Sequence, residues 1–384
     1  MGRILSFALV SSAILAALHY WLWARLVRDP VWPAPWKHVL TILVVVLGVS
    51  LPLSFWFGRR LAMPALVWAA YIWMGCLLLL LMLLVIGETA RVVALAFAHP
   101  PIVDPARRLF LRRLVATGVA AVGGALGAAA LARGLSRPKL RELEITLDRL
   151  PRSLDGTSIV QLTDVHVGPT IHKAFVEDLV TRTNALHPDL VVITGDLVDA
   201  PVALLRDQVA PLAQLRATHG VYFVTGNHEY YAGVDEWLAE LARLGIRVLR
   251  NERVAIGRGD ESFDLAGVDD HSAHTPGHGA DVPRALDGRD PSRECVLLAH
   301  QPRAIHEAKA YGVGLQLSGH THGGQIWPWN YLVKLQQPYV AGLAREGRTQ
   351  LYVSSGTGYW GPPMRLGTTS ELTRIVLRAP AKLS

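Results

Sequence analysis

Apolar residues fall along this chain in two textures. Up to about residue 135 they come in long runs, Ile4 to Leu26, Val39 to Phe57, Pro64 to Ile86 and Leu114 to Ala132, each near the ~20 residues that cross a hydrocarbon core as helix. The third contains "CLLLLLMLLVIG" and reads as a membrane span. The fourth, "LVATGVAAVGGALGAAALA", is rich in Gly and Ala, which suits either a closely packed helix or the apolar region of an export signal. "WLW" at 21–23 and "WPAPW" at 32–36 put aromatics where spans meet headgroups. His19 reads as a polar residue near an interface or between helices. After "RGLSRPKLRE" the texture changes. Short β-rich apolar runs at 157–164, 189–196, 220–227, 294–300 and 313–319 read as buried strands bounded by Gly, Pro or charge. "KAFVEDLVTRTNAL" and "ALLRDQVAPLAQLRA", between the first three, read as helices. The predicted plan is an all-α transmembrane region over 1–135, a linker and first strand over 136–156, and a layered α/β domain with a central sheet over 157–384.

Charge changes this picture in one respect. Residues 1–140 carry 14 Lys/Arg and only Asp29, Glu88 and Asp104 as acids, net +11, against net −4 for the remainder. The basic excess therefore flanks the apolar runs and forms no patch interleaved with aromatics, so nucleic acid is not an expected partner and a membrane is. "ARRLFLRRL", with Arg107, Arg108, Arg112 and Arg113, reads as a positive-inside stop or, through "RRLFLR", as similar to a twin-arginine signal. Both place this loop in the cytoplasm. Alternation then leaves eight basic residues inside (Arg25, Arg28, Lys37, Arg91 and those four) and three outside (Arg3, Arg59, Arg60). That difference places the C-terminal domain on the periplasmic or extracellular side of a bacterial inner membrane. Arg133, Arg137, Lys139 and Arg141 argue the other way. The spans hold almost no ionisable residues, His19 and Glu88 being the nearest, which counts against a transport pathway. The two cysteines, Cys76 and Cys295, build neither a disulfide framework nor a zinc site, and Cys295 in "ECVLLAH" reads as a small buried strand residue.

Chemistry gathers at the ends of the five predicted strands. Asp164 and His166 stand in "TDVHVG", Asp196 in "TGDLVD", Asn227 and His228 in "TGNHE", His300 in "AHQP", and His320 with His322 in "SGHTH". Each alone has a plain explanation as a turn, a helix cap or a hydrogen-bonded interior histidine. Five together point to one site, because ligands of open α/β sheets collect outside the carboxyl ends of the strands. Asp, Asn and His without Cys suit Mn, Fe or Zn better than an all-oxygen Ca or Mg cage. Seven of these as ligands would exceed the needs of one ion, and an Asp shared by two ions would clamp the attacking and leaving oxygens of a phosphoryl transfer.

"DVHVG", "GDLVD", "GNHE", the isolated "AH" at 299–300 and "GHTH" match, in order, the signature blocks of the calcineurin-like metallophosphoesterases. "LDGTSIVQLTDVHVG" and "GHTHGGQIWPW" look like the bacterial membrane-associated branch typified by YkuE and YaeI. The resemblance implies a four-layer α/β/β/α sandwich and a dinuclear centre. Asp164, His166, Asp196 and His322 would hold one ion and Asp196, Asn227, His300 and His320 the other, with Asp196 bridging and a metal-bound hydroxide as nucleophile. His228 would stabilise the transferred phosphate or protonate the leaving oxygen. The implied activity is hydrolysis of a phosphodiester, phosphomonoester or lipid-linked pyrophosphate by a membrane-anchored enzyme. "GDLVDA" and "GNHEYY" lack the arginines that protein Ser/Thr phosphatases carry there, which argues against phosphoprotein substrates. The alternative is a membrane sensory or scaffold protein that uses the fold for binding without catalysis, against which the full set of ligands weighs. Asp199 reads equally as a residue that orients a ligand and as the cap of the helix after it, and Glu229, Asp269 and Asp270 are open in the same way. His271, His274 and His278, in "DDHSAHTPGHG", read as a polar loop and not as a third metal site. Trp327 and Trp329 read as buried packing or as a rim for an apolar group.

Overall fold

The computed structural model describes residues 2–54, 64–97, 104–273 and 276–381. The end of the second predicted span at Phe57, Arg59, Arg60 and His274 lie outside the described residues, as do the side chains of Arg3 and Ile4. The chain falls into two compact units, Met1–Leu135 with Gly361–Met364, and Ser136–Trp360 with Arg365–Ser384.

The first unit is helical: α1 (Gly2–Trp23, continued by a π turn Ala24–Arg28), α2 (Ala34–Leu53), α3 (Pro64–Phe97) and α4 (Pro105–Gly134). All four are long and apolar enough to cross a membrane. α4 begins where Pro105 pre-sets the first turn and the Asp104 carboxylate accepts from the Ala106 amide. α3 runs on past the predicted end at Ile86 through Glu88 and Arg91, reaching about 51 Å at 1.5 Å per residue. Its apolar stretch is long enough to span a bilayer, and its last turns continue because Glu, Ala, Arg and Leu favour helix and no Gly or Pro falls between Glu88 and Phe97. The glycines of α4 fit the packed-helix reading of that segment. A Cβ on Gly123 would stand 2.5 Å from Leu80, and one on Gly127 3.1 Å from Cys76, so α4 packs backbone-close on α3 as a small-residue helix. His19 is buried between helices, its Nδ1 at 2.8 Å from the Leu15 carbonyl and its Nε2 accepting from the Trp73 indole at 3.0 Å.

The second unit holds two six-stranded sheets. The first has the order β1 (Lys139–Thr146), β12 (Glu371–Arg378), β2 (Ser158–Leu162), β3 (Leu190–Thr194), β4 (Val221–Val224), β5 (Arg247–Val248). The second has the order β10 (Gly342–Glu346), β11 (Thr349–Val353), β9 (Leu315–Ser318), β8 (Cys295–Leu298), β7 (Glu261–Gly267), β6 (Glu252–Arg258). β2 to β5 pair in parallel, as do β7, β8, β9 and β11. Strand period 2 then sorts the apolar residues into layers. Ile159, Leu190 and Val192 face Leu265, Val296, Leu298, Leu315 and Leu317 between the sheets. Val160, Leu162, Val191 and Ile193 turn outward under α5 (Lys173–Ala185), α6 (Val202–Val209) and α8 (Val234–Arg243), which follows the short α7 (Asn227–Ala232). Ala266, Cys295 and Leu297 turn the other way under α9 (Val282–Leu286). The result is the four-layer α/β/β/α sandwich that the sequence implied, with Cys295 a buried strand residue.

Two features were not legible from pattern. The helix predicted over 203–217 stops at Val209 and continues as a 3₁₀ turn, because Pro211 has no N–H to extend the ladder. β12 returns from the far end of the chain to lie between β1 and β2, Lys139 in register with Glu371 and Ile159 with Ile375.

Candidate metal centre

β2, β3, β4, β8 and β9 each end two or three residues before Asp164, Asp196, Asn227, His300 and His320. The C-terminal edges of both sheets therefore deliver these side chains to one place. The loops that carry them are tightly wound. Nine non-glycine residues among those described have positive φ, and five of the nine are Asp164, His166, Asp196, His320 and His322. A left-handed non-glycine residue costs ~1 kcal/mol or more. Its concentration here marks a site whose geometry is imposed by the surrounding fold. Glycine permits the closest approaches: a Cβ on Gly226 would stand 2.2 Å from Asp196 Oδ1, and one on Gly319 2.2 Å from Asp164 Oδ2.

The ring orientations are set by hydrogen bonds on the far side of each imidazole. His166 Nδ1 and His228 Nδ1 both donate to the same oxygen, Asp199 Oδ1, at 2.8 Å, and His300 Nδ1 donates to the Thr194 carbonyl at 2.8 Å. Asp199 is thus an orienting residue and does not cap α6, whose N-cap is Pro201. With Nδ1 carrying the proton, Nε2 of the neutral ring is a lone pair. Each Nε2, the atom open to a cation once its ring is neutral, stands beside other potential ligand atoms. His166 Nε2 is 3.1 Å from His322 Nε2 and 3.9 Å from Asp196 Oδ2. His322 Nε2 is 3.5 Å from Asp164 Oδ1. His300 Nε2 is 3.1 Å from the same Asp196 Oδ2 and 3.2 Å from His320 Nδ1. Three groups result, Asp164–His166–His322, His166–Asp196–His228 and Asp196–His300–His320, each with its potential ligand atoms within 4.8 Å of one another. Asp196 belongs to two of them. Asn227 Oδ1 is buried and has no hydrogen-bond partner among the described residues, a deficit of ~1–3 kcal/mol unless a cation fills it. A converging set of buried acceptors with an orphaned amide oxygen fits divalent cations.

Electrostatics agree. Burial disfavours the charged form of each group, and the neighbours then decide. Asp199 outweighs burial at His166 and raises it to about 9. Burial and then the Asp196 carboxylate put His300 in contest, and the carboxylate wins, raising it well above the usual imidazole range. Burial raises Asp164, with His300 opposing, while at Asp196 the charges of His300 and His228 overcome burial and hold it well below the usual carboxylate range. Burial, with His300 beside it, takes His320 down to about 3, and burial with His166 depresses His322 likewise.

Glu229 resolves as a staple. Fully buried, it accepts from the amides of Asp196, Leu197 and Gly226 at 3.0, 2.8 and 2.7 Å, tying the loop after β3 to the loop after β4. Burial and then Asp196 raise its pKa to about 7. The other candidates are held by partners outside the cluster. Asp269 pairs with Arg250, Asp270 receives Ser272 and Gln301, His278 packs beside Arg250, and His271 is exposed. Trp327 and Trp329 are half exposed, which removes the buried-packing reading. Arg365 was singled out by no sequence pattern, yet it is fully buried against the His322 carbonyl.

The calcineurin-like phosphoesterase family matches residues 157–324. Among relatives, the bovine transmembrane protein with metallophosphoesterase domain is 43% identical over 289 residues, 72% of this chain and 64% of that protein. The uncharacterized metallophosphoesterase YkuE of Bacillus subtilis is 31% identical over 286 residues, 71% of this chain and 98% of that protein. An uncharacterized metallophosphoesterase of Aquifex aeolicus is 33% identical over 244 residues, 62% and 92% of the two chains. The chain spans less than two thirds of the bovine and zebrafish relatives, 64% and 62%. With these likenesses beside the acceptor cluster at the strand ends, the chain belongs to the calcineurin-like metallophosphoesterases, a family of phosphoester hydrolases built on a dinuclear metal site.

Proposed function

We propose that this chain is a membrane-anchored, metal-dependent phosphoesterase that hydrolyses a phosphodiester, phosphomonoester or lipid-linked pyrophosphate. In this reading residues 1–135 anchor it in a bacterial cell membrane, 136–156 lead into the sheet, and 157–384 form the catalytic domain on the periplasmic or extracellular side. Asp164, His166, Asp196 and His322 hold one divalent ion, Asp196, Asn227, His300 and His320 the other, and Mn, Fe and Zn suit this donor set. The observation that carries the reading is Asp196, shared by two of the groups, whose Oδ2 stands 3.9 Å from His166 Nε2 and 3.1 Å from His300 Nε2.

Bound divalent ions supply positive charge at the phosphoryl oxygens and lower the pKa of water. The chain supplies the rest. Asp199 fixes His166 and His228 through their Nδ1 protons, leaving His228 Nε2 for the substrate. The His228 side chain is 15% exposed, against 10% for His322, 1% for His166 and 0% for His300. It is the group placed to hydrogen-bond the transferred phosphate or give a proton to the leaving oxygen, worth ~10²–10⁴ in rate. Glu229 keeps the Asp196 loop in register with the Asn227 loop. The test is to purify the full chain in detergent with Mn and screen model phosphodiesters, phosphomonoesters and lipid pyrophosphates. Asp196→Asn is expected to abolish turnover and His228→Ala to lower kcat by ~10²-fold or more. Activity untouched by both changes sinks the proposal.

A further inference from the structure

We propose that Arg365 is a positioning residue of this centre, its guanidinium clamping His322 and the 355–358 loop against Asp164 so that the Asp164–His166–His322 group is preset for its ion. The inference rests on the ligand assignment above and goes beyond it.

Arg365 is 0% exposed. Its Nη1 donates to the His322 carbonyl at 3.2 Å, and its Nη2 donates to the carbonyls of Ser355 at 2.8 Å and Gly358 at 2.6 Å, with Gly356 at 3.4 Å. Nη2 also stands 3.5 Å from His322 Nδ1. The loop it grips is bonded in turn to the first ligand segment. The Thr357 amide donates to the Thr163 carbonyl at 2.8 Å, the Gly358 amide to the Asp164 carbonyl at 2.9 Å, and the Thr163 amide to Thr357 Oγ1 at 3.2 Å. One side chain therefore links the backbone of His322 to the backbone of Asp164, two ligands of the same ion 158 positions apart in sequence. His322 needs such a hold. It opens a run of four residues at positive φ, and at its two non-glycine members, His322 (φ 50) and Gln325 (φ 49), that conformation persists only where the surroundings over-determine it.

The cost of the clamp argues that it is specific. Among the described residues no carboxylate lies within ion-pair distance of Arg365, so its charge is met by carbonyl dipoles, with Asp164 and Glu371 acting at longer range. A buried cation without a paired anion is expensive. A planar fork that reaches four carbonyls at once is something Lys cannot reproduce. Gly356, at φ 85, leaves the room: a Cβ there would stand 3.1 Å from His322 Nδ1 and 3.2 Å from Arg365 Nη2.

The test titrates Mn into the metal-free full chain in detergent micelles, reading two affinities and the electron paramagnetic resonance signal that distinguishes a spin-coupled ion pair from a single ion. Melting of the metal-free protein is followed in parallel. In Arg365→Lys one affinity is expected to weaken by ~10–100-fold while the other holds, and the coupled signal gives way to a six-line mononuclear one at intermediate Mn. Thr357→Val, which loosens the loop at constant volume, is expected to weaken the same ion by less, and it decides the matter if Arg365→Lys does not fold. Two unchanged affinities, or two that fall together with the melting point, overturn the inference and leave Arg365 a plain structural residue. A wild-type chain that binds no Mn overturns the ligand assignment instead.

Discussion

Asp199 Oδ1 receives two imidazole protons, from His166 and His228, each at 2.8 Å, so one carboxylate oxygen sets both a candidate ligand and the candidate proton donor. In the metal-free protein it also keeps His166 protonated, at about 9 against the 6.5 of a free imidazole. An incoming cation must displace that proton. Below about 9 His166 is charged and competes with the ion, so Mn affinity is expected to rise as pH goes from 6 to 9 and to level off above it. Calorimetry in buffers of different ionisation enthalpy would count the protons released. Asp199→Asn removes the charge that raises His166, so the rise should move to lower pH while affinity at pH 9 drops ~10-fold or more; an unmoved profile would contradict this role. The candidate ligands were legible as residue types, because Asp, Asn and His stood at the ends of apolar runs. Asp199 and Glu229 stayed open between a cap and an orienting role, since spacing does not say which N–H a carboxylate meets.

At the scale of elements, the candidate site exists because five strands stop at the C-terminal edges of the two sheets and the loops after β2, β3 and β9 turn left-handed at once. The strands β2, β3, β8 and β9 were readable as short apolar runs, and the polar residues that end those runs fall two positions beyond the strand. Gly226 shows how narrow the junction is, since its Cα faces Asp196 Oδ1 with no room for a methyl. Gly226→Ala is expected to push the loops after β3 and β4 apart, costing about 1–3 kcal/mol in stability and weakening Mn binding more than tenfold. Denaturant midpoints and a Mn titration would check both, and a variant with wild-type values in each would show that the loops are slack. β12 escaped the sequence reading because its hydrogen-bonding neighbours β1 and β2 lie over 200 residues away, and no local period encodes a partner at that distance.

For the whole molecule, four helices able to cross a membrane precede a phosphoesterase domain. The basic residues of the loops argue for an exported domain, and a reporter fused after Ser384 gives the check. Signal from a reporter active only outside the cytoplasm is the expected result, and signal only from a cytoplasmic one reverses the orientation. What the sequence by itself determined was one-dimensional: the long apolar runs, the short apolar runs that form strands, and the set of Asp, Asn and His at their ends, which identify the family as an ordered string. Only the tertiary structure decided which nitrogen of each imidazole is held by a second residue. It also decided that Glu229 staples two loops, that α4 packs on α3 through its glycines, and that Arg365 reaches from the end of the chain to His322. Local pattern reports burial and direction along a strand, whereas ring orientation and ligand geometry come from hydrogen bonds between segments far apart in sequence.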